Sequence, residues 1–357
     1  MREESDPAGL IRHVEIRRAI IGWVILWALF FLICAGLGYA PLNRYDPAQA
    51  YGTSDAAAYR DSVMGRPPPP ISGGGGAYDM FFQWENRYRV LVPLVAKPVY
   101  WLAKGRVGSW DPALFALLVS NAIFTATAAS VLVAVGRRLK LDHATALLGA
   151  ALYLLNFCVA NLNLAGLVDS AEGCFLLLIV WSLLQDRWAL LLLWGVLGAL
   201  AKETFAPLSL MLVFGWWISE ARRGRLQLPR LVWICALGVV TIATVTLAMS
   251  ALVGFLVWPW QFASYMRSDH GFLAELWGCL TDHTFFYVFI WLLPLGLVRL
   301  RRMPWPWVAG TAVAFCGALL LGAYNNAEGN TSRALFNVAG PLLSLSTATF
   351  LTDWRAV

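Results

Sequence analysis

Residues 188–218 read WALLLLWGVLGALAKETFAPLSLMLVFGWWI, an apolar run whose only charges are Lys202 and Glu203. At 31 residues the run is longer than one untilted bilayer crossing, which needs roughly 20. Two helices meeting at a turn account for it, and the two charges then lie at a membrane boundary. The rest of the chain agrees with a membrane reading. Of its 357 residues 59% are hydrophobic, 13% are charged, and the mean hydropathy is +0.63. A soluble domain carries about 25% charge. Eighteen tryptophans suit a protein with two interfacial belts. The net charge of +6 is modest, and its basic residues cluster beside apolar segments. That pattern points to topology and anionic lipid, and away from nucleic acid.

Working outward, about ten spans are expected: 19–40, 113–136, 143–163, 170–185, 188–202, 206–219, 231–256, 284–299, 305–323 and 334–352. The fold class expected is therefore all-α, a polytopic transmembrane helix bundle over residues 1–357, in which no internal repeat, no separate soluble domain and no soluble C-terminal domain is expected. The first apolar stretch, about 21 residues, is too long for a typical signal-peptide core and reads as an uncleaved helix. The cysteines, Cys34, Cys158, Cys174, Cys235, Cys279 and Cys316, form no CxxC pair. Five sit inside apolar runs and read as small core residues; Cys279 alone reads as extramembrane.

Positive charge sets the orientation. With Arg12, Arg17 and Arg18 in the cytoplasm, the turns holding Arg137, Arg138 and Lys140, then Arg187, then Arg222, Arg223, Arg225 and Arg230, then Arg299, Arg301 and Arg302, then Arg355, all fall on that side. This holds end to end only if 90–104, VLVPLVAKPVYWLAK, lies along the outer surface as an interfacial helix. The outer loop 41–112 is the one large extramembrane piece, and its RPPPPISGGGGAYD segment reads as a linker or a mobile lid.

This topology gathers the unusual polar residues on one face. Asp46, Asp55, Arg87 and Arg89 come from the first loop, Asp169 and Glu172 from a later turn, then Lys202 and Glu203, then Asp269, His270, Asp282 and His283, and finally Arg333. Ionisable groups at membrane depth usually line a cavity or pathway. A lipid phosphate at the outer leaflet calls for cations, which Lys202, Arg87, Arg89 and Arg333 can supply. An acceptor hydroxyl calls for a carboxylate base, which the first loop can supply. The structural alternatives stay open: Asp55 as a helix cap, Lys202 as a snorkelling anchor, Arg87, Arg89 and Arg333 as belt anchors, and Asp169 with Glu172 as partners of a helix dipole.

Five stretches, in order, resemble a family: SDAAAYRDSV (54–63), NRYRVLVPLVAKPVYWLAK (86–104), LVDSAEGCFLLLIVWSLL (167–184), LAKETFAPLSL (200–210) and SRALFNVAGPLLSL (332–345). They are similar to the Asp-Ala-x-x-Tyr loop, the interfacial segment, the acidic start of a later span, the Lys-Glu-Thr turn and the Arg-Tyr-x-x-Pro stretch of the polytopic C-type (GT-C) membrane glycosyltransferases. That family includes protein mannosyltransferases, aminoarabinose transferases of lipid A and mannosyltransferases of GPI assembly. The resemblance implies inverting transfer of a sugar from a polyprenyl-phosphate donor to a lipid or glycan acceptor at the outer face. It implies Asp55 as catalytic base, with Asp46 as the alternative, and Lys202, Arg87, Arg89 and Arg333 as donor-phosphate ligands. Asp169, Glu172, Glu203 and Tyr59 would line the substrate pocket. No cofactor is expected; Asp269, His270, Asp282 and His283 are the only candidates for a divalent metal. The setting expected is a bacterial inner membrane, with the N-terminus cytoplasmic. The competing reading is a transporter or lipid flippase with an outer-face polar pathway.

Overall fold

The computed structural model describes residues 7–44, 54–66, 87–164, 166–221, 228–258, 271–324 and 328–353. Asp46, Asp269, His270 and the Pro/Gly-rich segment fall outside them. Among the described residues the chain is helical, with no strand. The helices are α1 (Pro7–Leu37), α2 (Tyr39–Arg44), α3 (Ser54–Met64), α4 (Leu91–Ala103), α5 (Pro112–Arg138), α6 (His143–Leu154), α7 (Asp169–Leu184), α8 (Leu190–Ala201), α9 (Phe205–Ala221), α10 (Leu228–Val253), α11 (Phe272–Thr281), α12 (His283–Phe289), α13 (Leu292–Val298), α14 (Trp305–Tyr324) and α15 (Glu328–Asp353).

Among the described residues five stretches are long and apolar enough to cross a membrane: Arg17–Leu37, Pro112–Arg138, Leu228–Leu252, Trp305–Tyr324 and Thr331–Asp353. The chain is thus an all-helical protein with the makings of an integral membrane protein. Each of the ten expected spans has helix at its position, but several are shorter than read. The 12-residue α8 rises only about 18 Å, against a hydrocarbon core of about 30 Å. The stretch 143–163 splits into α6 and a π-turn at Val159–Asn163. Between them Asn156 donates to the Val288 carbonyl (3.0 Å) and accepts from the Cys158 amide (2.9 Å). The stretch 284–299 splits into α12 and α13 around Ile290 and Trp291. Pro294 explains the break, because its ring clashes with the carbonyl four residues back, at Ile290.

Local chemistry fixes the helix starts. Asp111 caps α5, its Oδ1 accepting from the amides of Ala113 (2.8 Å) and Leu114 (3.1 Å), and Pro112 follows at the first helical position. Its Oδ2 also accepts from Arg60 Nε at 2.6 Å, which ties α3 to the start of α5. Asp142 caps α6 through the Thr145 amide, and Asp282 caps α12 through the Thr284 amide.

α15 and α5 are central: 83% and 67% of their membrane windows are buried, against 11% for the first stretch. α15 packs on α6, α7, α13 and α14; α5 packs on α1, α4, α6 and α7. α4 lies on α5 and α3, and exposes Leu94, Trp101 and Leu102. α11, inside the stretch read as a loop, packs on α14 and buries Glu275 and Cys279. One cysteine expectation is corrected: Cys235 and Cys316 are exposed on α10 and α14 rather than core. Cys279 is buried and donates to Thr331 Oγ1.

Contacts define two ends. Asp186 meets Arg230, Thr145 meets Thr352, and Arg302 pairs with Asp353, so these turns share one end with Arg137 and Arg138. The helices then deliver the starts of α7, α9 and α15 to the opposite end, where the site lies.

Candidate functional site

The loop-to-helix joint before α7 positions the first carboxylate. Gly166 has φ +81°, a left-handed turn that favours glycine. Asn121 on α5 donates to the Leu167 carbonyl (2.8 Å) and accepts from Ser170 Oγ (2.5 Å), clamping the segment. Asp169 then opens α7, 2% exposed, with Glu172 one turn on and fully buried. The α8–α9 turn supplies the lysine. Lys202 leaves the helix with φ −162° and ψ 141°, while its amide still reaches the Gly198 carbonyl at 3.0 Å. Gly198 is required there: a Cβ would meet the Phe205 ring within 2.3 Å.

These elements converge on one ion network. Lys202 Nζ donates to Asp169 Oδ1 at 2.6 Å and lies 3.7 Å from Glu172 Oε2. Arg333, at the start of α15, donates through Nη1 to Asp169 Oδ2 at 2.9 Å. Arg89, just before α4, makes a two-pronged pair with Glu203, Nε to Oε2 at 2.8 Å and Nη2 to Oε1 at 2.5 Å. Its Nη1 donates to the Tyr59 hydroxyl of α3 at 2.7 Å. Asp55, in the first turn of α3, is half-buried, and its charge acts on both Tyr59 and Arg333.

Three of the four expected cations are thus buried and share this network with Asp169, Glu172, Glu203, Tyr59 and Asp55. Arg87 is not brought in. It is buried but turns the other way, donating to the Arg66 carbonyl at 2.9 Å with Asp61 at 3.7 Å, at the far end of α3. Lys202 and Glu203, adjacent in sequence, take different partners, Lys202 pairing with Asp169 and Glu203 with Arg89. Asp282 and His283 pair with each other at 3.2 Å in the cap of α12, with the His283 side chain 83% exposed. Among the described residues no group of three His, Cys, Asp or Glu side chains is placed to hold a metal.

Two further members were not anticipated. Asn337 Nδ2 donates to Glu172 Oε2 (2.9 Å) and to the Asp169 carbonyl (3.2 Å), and Thr204 donates to Glu172 Oε1. The sequence signal for Asn337 is that it follows Arg333 by four residues, on the same face of an apolar helix. Gly173 makes room for it, since a Cβ there would sit 2.9 Å from Asn337 Oδ1.

The electrostatics match the geometry. Burial alone would push the Glu203 carboxyl up, but the Arg89 guanidinium beside it overrides that and holds it below the ordinary carboxylate value. Burial pushes the Tyr59 phenol well up against the pull of Arg89, so it stays a neutral hydrogen-bonding group. The arrangement can hold ion pairs at fixed positions in a dry interior and present a partly exposed carboxylate, Asp55, at its rim. Protein-family models, curated proteins and solved structures give no match to this chain.

Proposed function

We propose that the chain is an inverting membrane glycosyltransferase that takes a sugar from a polyprenyl-phosphate donor and passes it to a lipid or glycan acceptor. In this reading the bundle crosses the bilayer about ten times, and the arginine-rich end is cytoplasmic. The ion network then faces the outer leaflet. The observation that supports it is that Lys202, Arg333 and Arg89, from three parts of the chain, are held together in the buried charged cluster, with Arg89 bonded to Tyr59 on α3, one turn from Asp55.

Asp55 serves as general base. It takes the proton of the acceptor hydroxyl as that oxygen attacks the anomeric carbon from the side opposite the leaving group. The anomeric carbon–oxygen bond to the lipid phosphate breaks, and the electron pair leaves with the phosphate. The cations stabilise the negative charge that builds there. Asp169 and Glu172 do not react; they hold Lys202 and Arg333 in place and keep the site near neutral until the donor phosphate enters. Glu203 does the same for Arg89.

The test is reconstitution of the purified chain in vesicles with candidate polyprenyl-phosphate sugars. Wild type is expected to transfer, and Asp55→Asn to lose about 100- to 10,000-fold in rate with its thermal midpoint unchanged. Equal turnover by Asp55→Asn would remove Asp55 as base. Movement of the lipid-linked sugar across the bilayer without transfer would replace the enzyme reading with a flippase.

A further inference from the structure

At the end opposite the ion network, a groove of about 540 Å³ opens between α1, α5 and α7. Trp23, Trp181 and Ala134 line it, together with Arg137 and Arg138 from the last turn of α5. Both arginines are exposed, and neither pairs with a carboxylate among the described residues. Arg137 is held instead over the Trp23 ring, its guanidinium carbon 6.0 Å from the centroid. A guanidinium stacked this way is pre-ordered and keeps its donor edge available.

The second groove at the same end makes the contrast. It holds Arg187, Arg230 and Trp188, but these two arginines are matched in number by two carboxylates, Asp186 at 2.7 Å from Arg230 and Glu220 beside it. The first groove is therefore a basic site with apolar walls, and the second is a neutral one.

We propose that the groove between α1, α5 and α7 binds an anionic phospholipid of the surrounding bilayer. Its phosphate would sit on Arg137 and Arg138 and its proximal acyl chain between Trp23 and Trp181. Charge complementarity selects the headgroup, and the flanking apolar surface selects a lipid over a free ion. The first stretch, Arg17–Leu37, is only 11% buried, so one wall of the groove faces the hydrocarbon from which such a lipid would enter. This inference is independent of the reaction assigned to the other end.

The experiment is native mass spectrometry of the full chain released from bilayers of equal phosphatidylglycerol and phosphatidylcholine, read as the ratio of the two lipids retained. Wild type should favour phosphatidylglycerol. Arg137→Gln/Arg138→Gln should lower that ratio by roughly thirtyfold, about fivefold for each basic residue lost. Ala134→Trp, which adds bulk to the lining and leaves both charges, should lower it as well. Lys97→Gln/Arg106→Gln, exposed charges elsewhere, should leave it alone. Equal retention by wild type and the two groove variants would overturn the proposal. So would an equal loss in Lys97→Gln/Arg106→Gln, which would mean unspecific charge attraction. Displacement of the lipid by millimolar inorganic phosphate would also overturn it, in favour of a simple anion site.

Discussion

At the scale of single residues, Asp169, Glu172, Lys202 and Arg333 make a local set of two negative and two positive charges inside the bundle. Buried ions are expensive to desolvate, and the set persists because each is matched; removing one partner leaves a net charge behind. Lys202→Met should therefore destabilise the chain by about 3–5 kcal/mol, seen as a lower thermal midpoint in detergent. Adding Glu172→Gln to it restores neutrality and should recover part of that loss, so the two substitutions will not be additive. A double variant no better than Lys202→Met alone would refute the balance argument. Acid should act on the other pair. Glu203 binds its proton more weakly in the folded chain than in the unfolded one, because Arg89 favours its charged form. The pair's contribution is complete above the ordinary glutamate value of about 4.5 and is lost as pH falls through the lowered folded value. The thermal midpoint should drop below about pH 4.5, and less steeply in Glu203→Gln. These residues were legible at different depths. Lys202 and Asp169 were visible as charges against apolar runs. The difference between Arg89 and Arg87 was not, because a two-residue step in an irregular segment decides which way each side chain turns, and only packing fixes that.

At the scale of elements, α9 and α14 come close enough for backbone to meet backbone. A Cβ on Gly310 would sit 2.5 Å from the Leu212 carbonyl oxygen, and one on Gly215 would sit 2.9 Å from that of Ala309. Small residues at such crossings let helices in a bilayer gain dispersion contacts where the hydrophobic effect offers nothing. Backbone atoms cannot swing aside as a flexible side chain does. Gly310→Ala should thus cost about 1–3 kcal/mol in thermal unfolding. Gly22→Ala on the exposed α1, with nothing within 4 Å of its added Cβ, should be neutral or slightly stabilising, because alanine is the better helix former. Equal effects of the two would mean that α9 and α14 do not pack this way. The same scale explains what the pattern of apolar runs left out. Periodicity finds a helix but not its break, so α12 and α13 were read as one span. Pro294 marked the interruption, and Asn156, bonded to the Val288 carbonyl, shows how the freed backbone there is satisfied. α11 was hidden because its ten residues are too few to register as a crossing.

At the scale of the whole molecule, the alternation of helices puts arginines at one end and the paired network at the other. That separation was readable from the sequence, because the sign and position of loop charges are local. The pairing within the network was not, since Asp169 finds Arg333 164 residues away and only the packing of α7 on α15 brings them together. The separation has a direct consequence for topology. Arg106, after α4, and His143, at the start of α6, are both exposed and lie at opposite ends of α5. α5 has 27 residues and rises about 40 Å, enough to cross the hydrocarbon core. In a chain whose native cysteines are replaced by serine or alanine, Arg106→Cys should react with a membrane-impermeant maleimide in intact cells. His143→Cys should react only after permeabilisation, because the basic turns it adjoins resist translocation. Labelling of both from outside would mean that α5 does not span, and the ion network would then lose its assigned leaflet. The reverse pattern would leave the fold standing but turn the network toward the cytoplasm, where a donor presented in the inner leaflet would be the substrate to test.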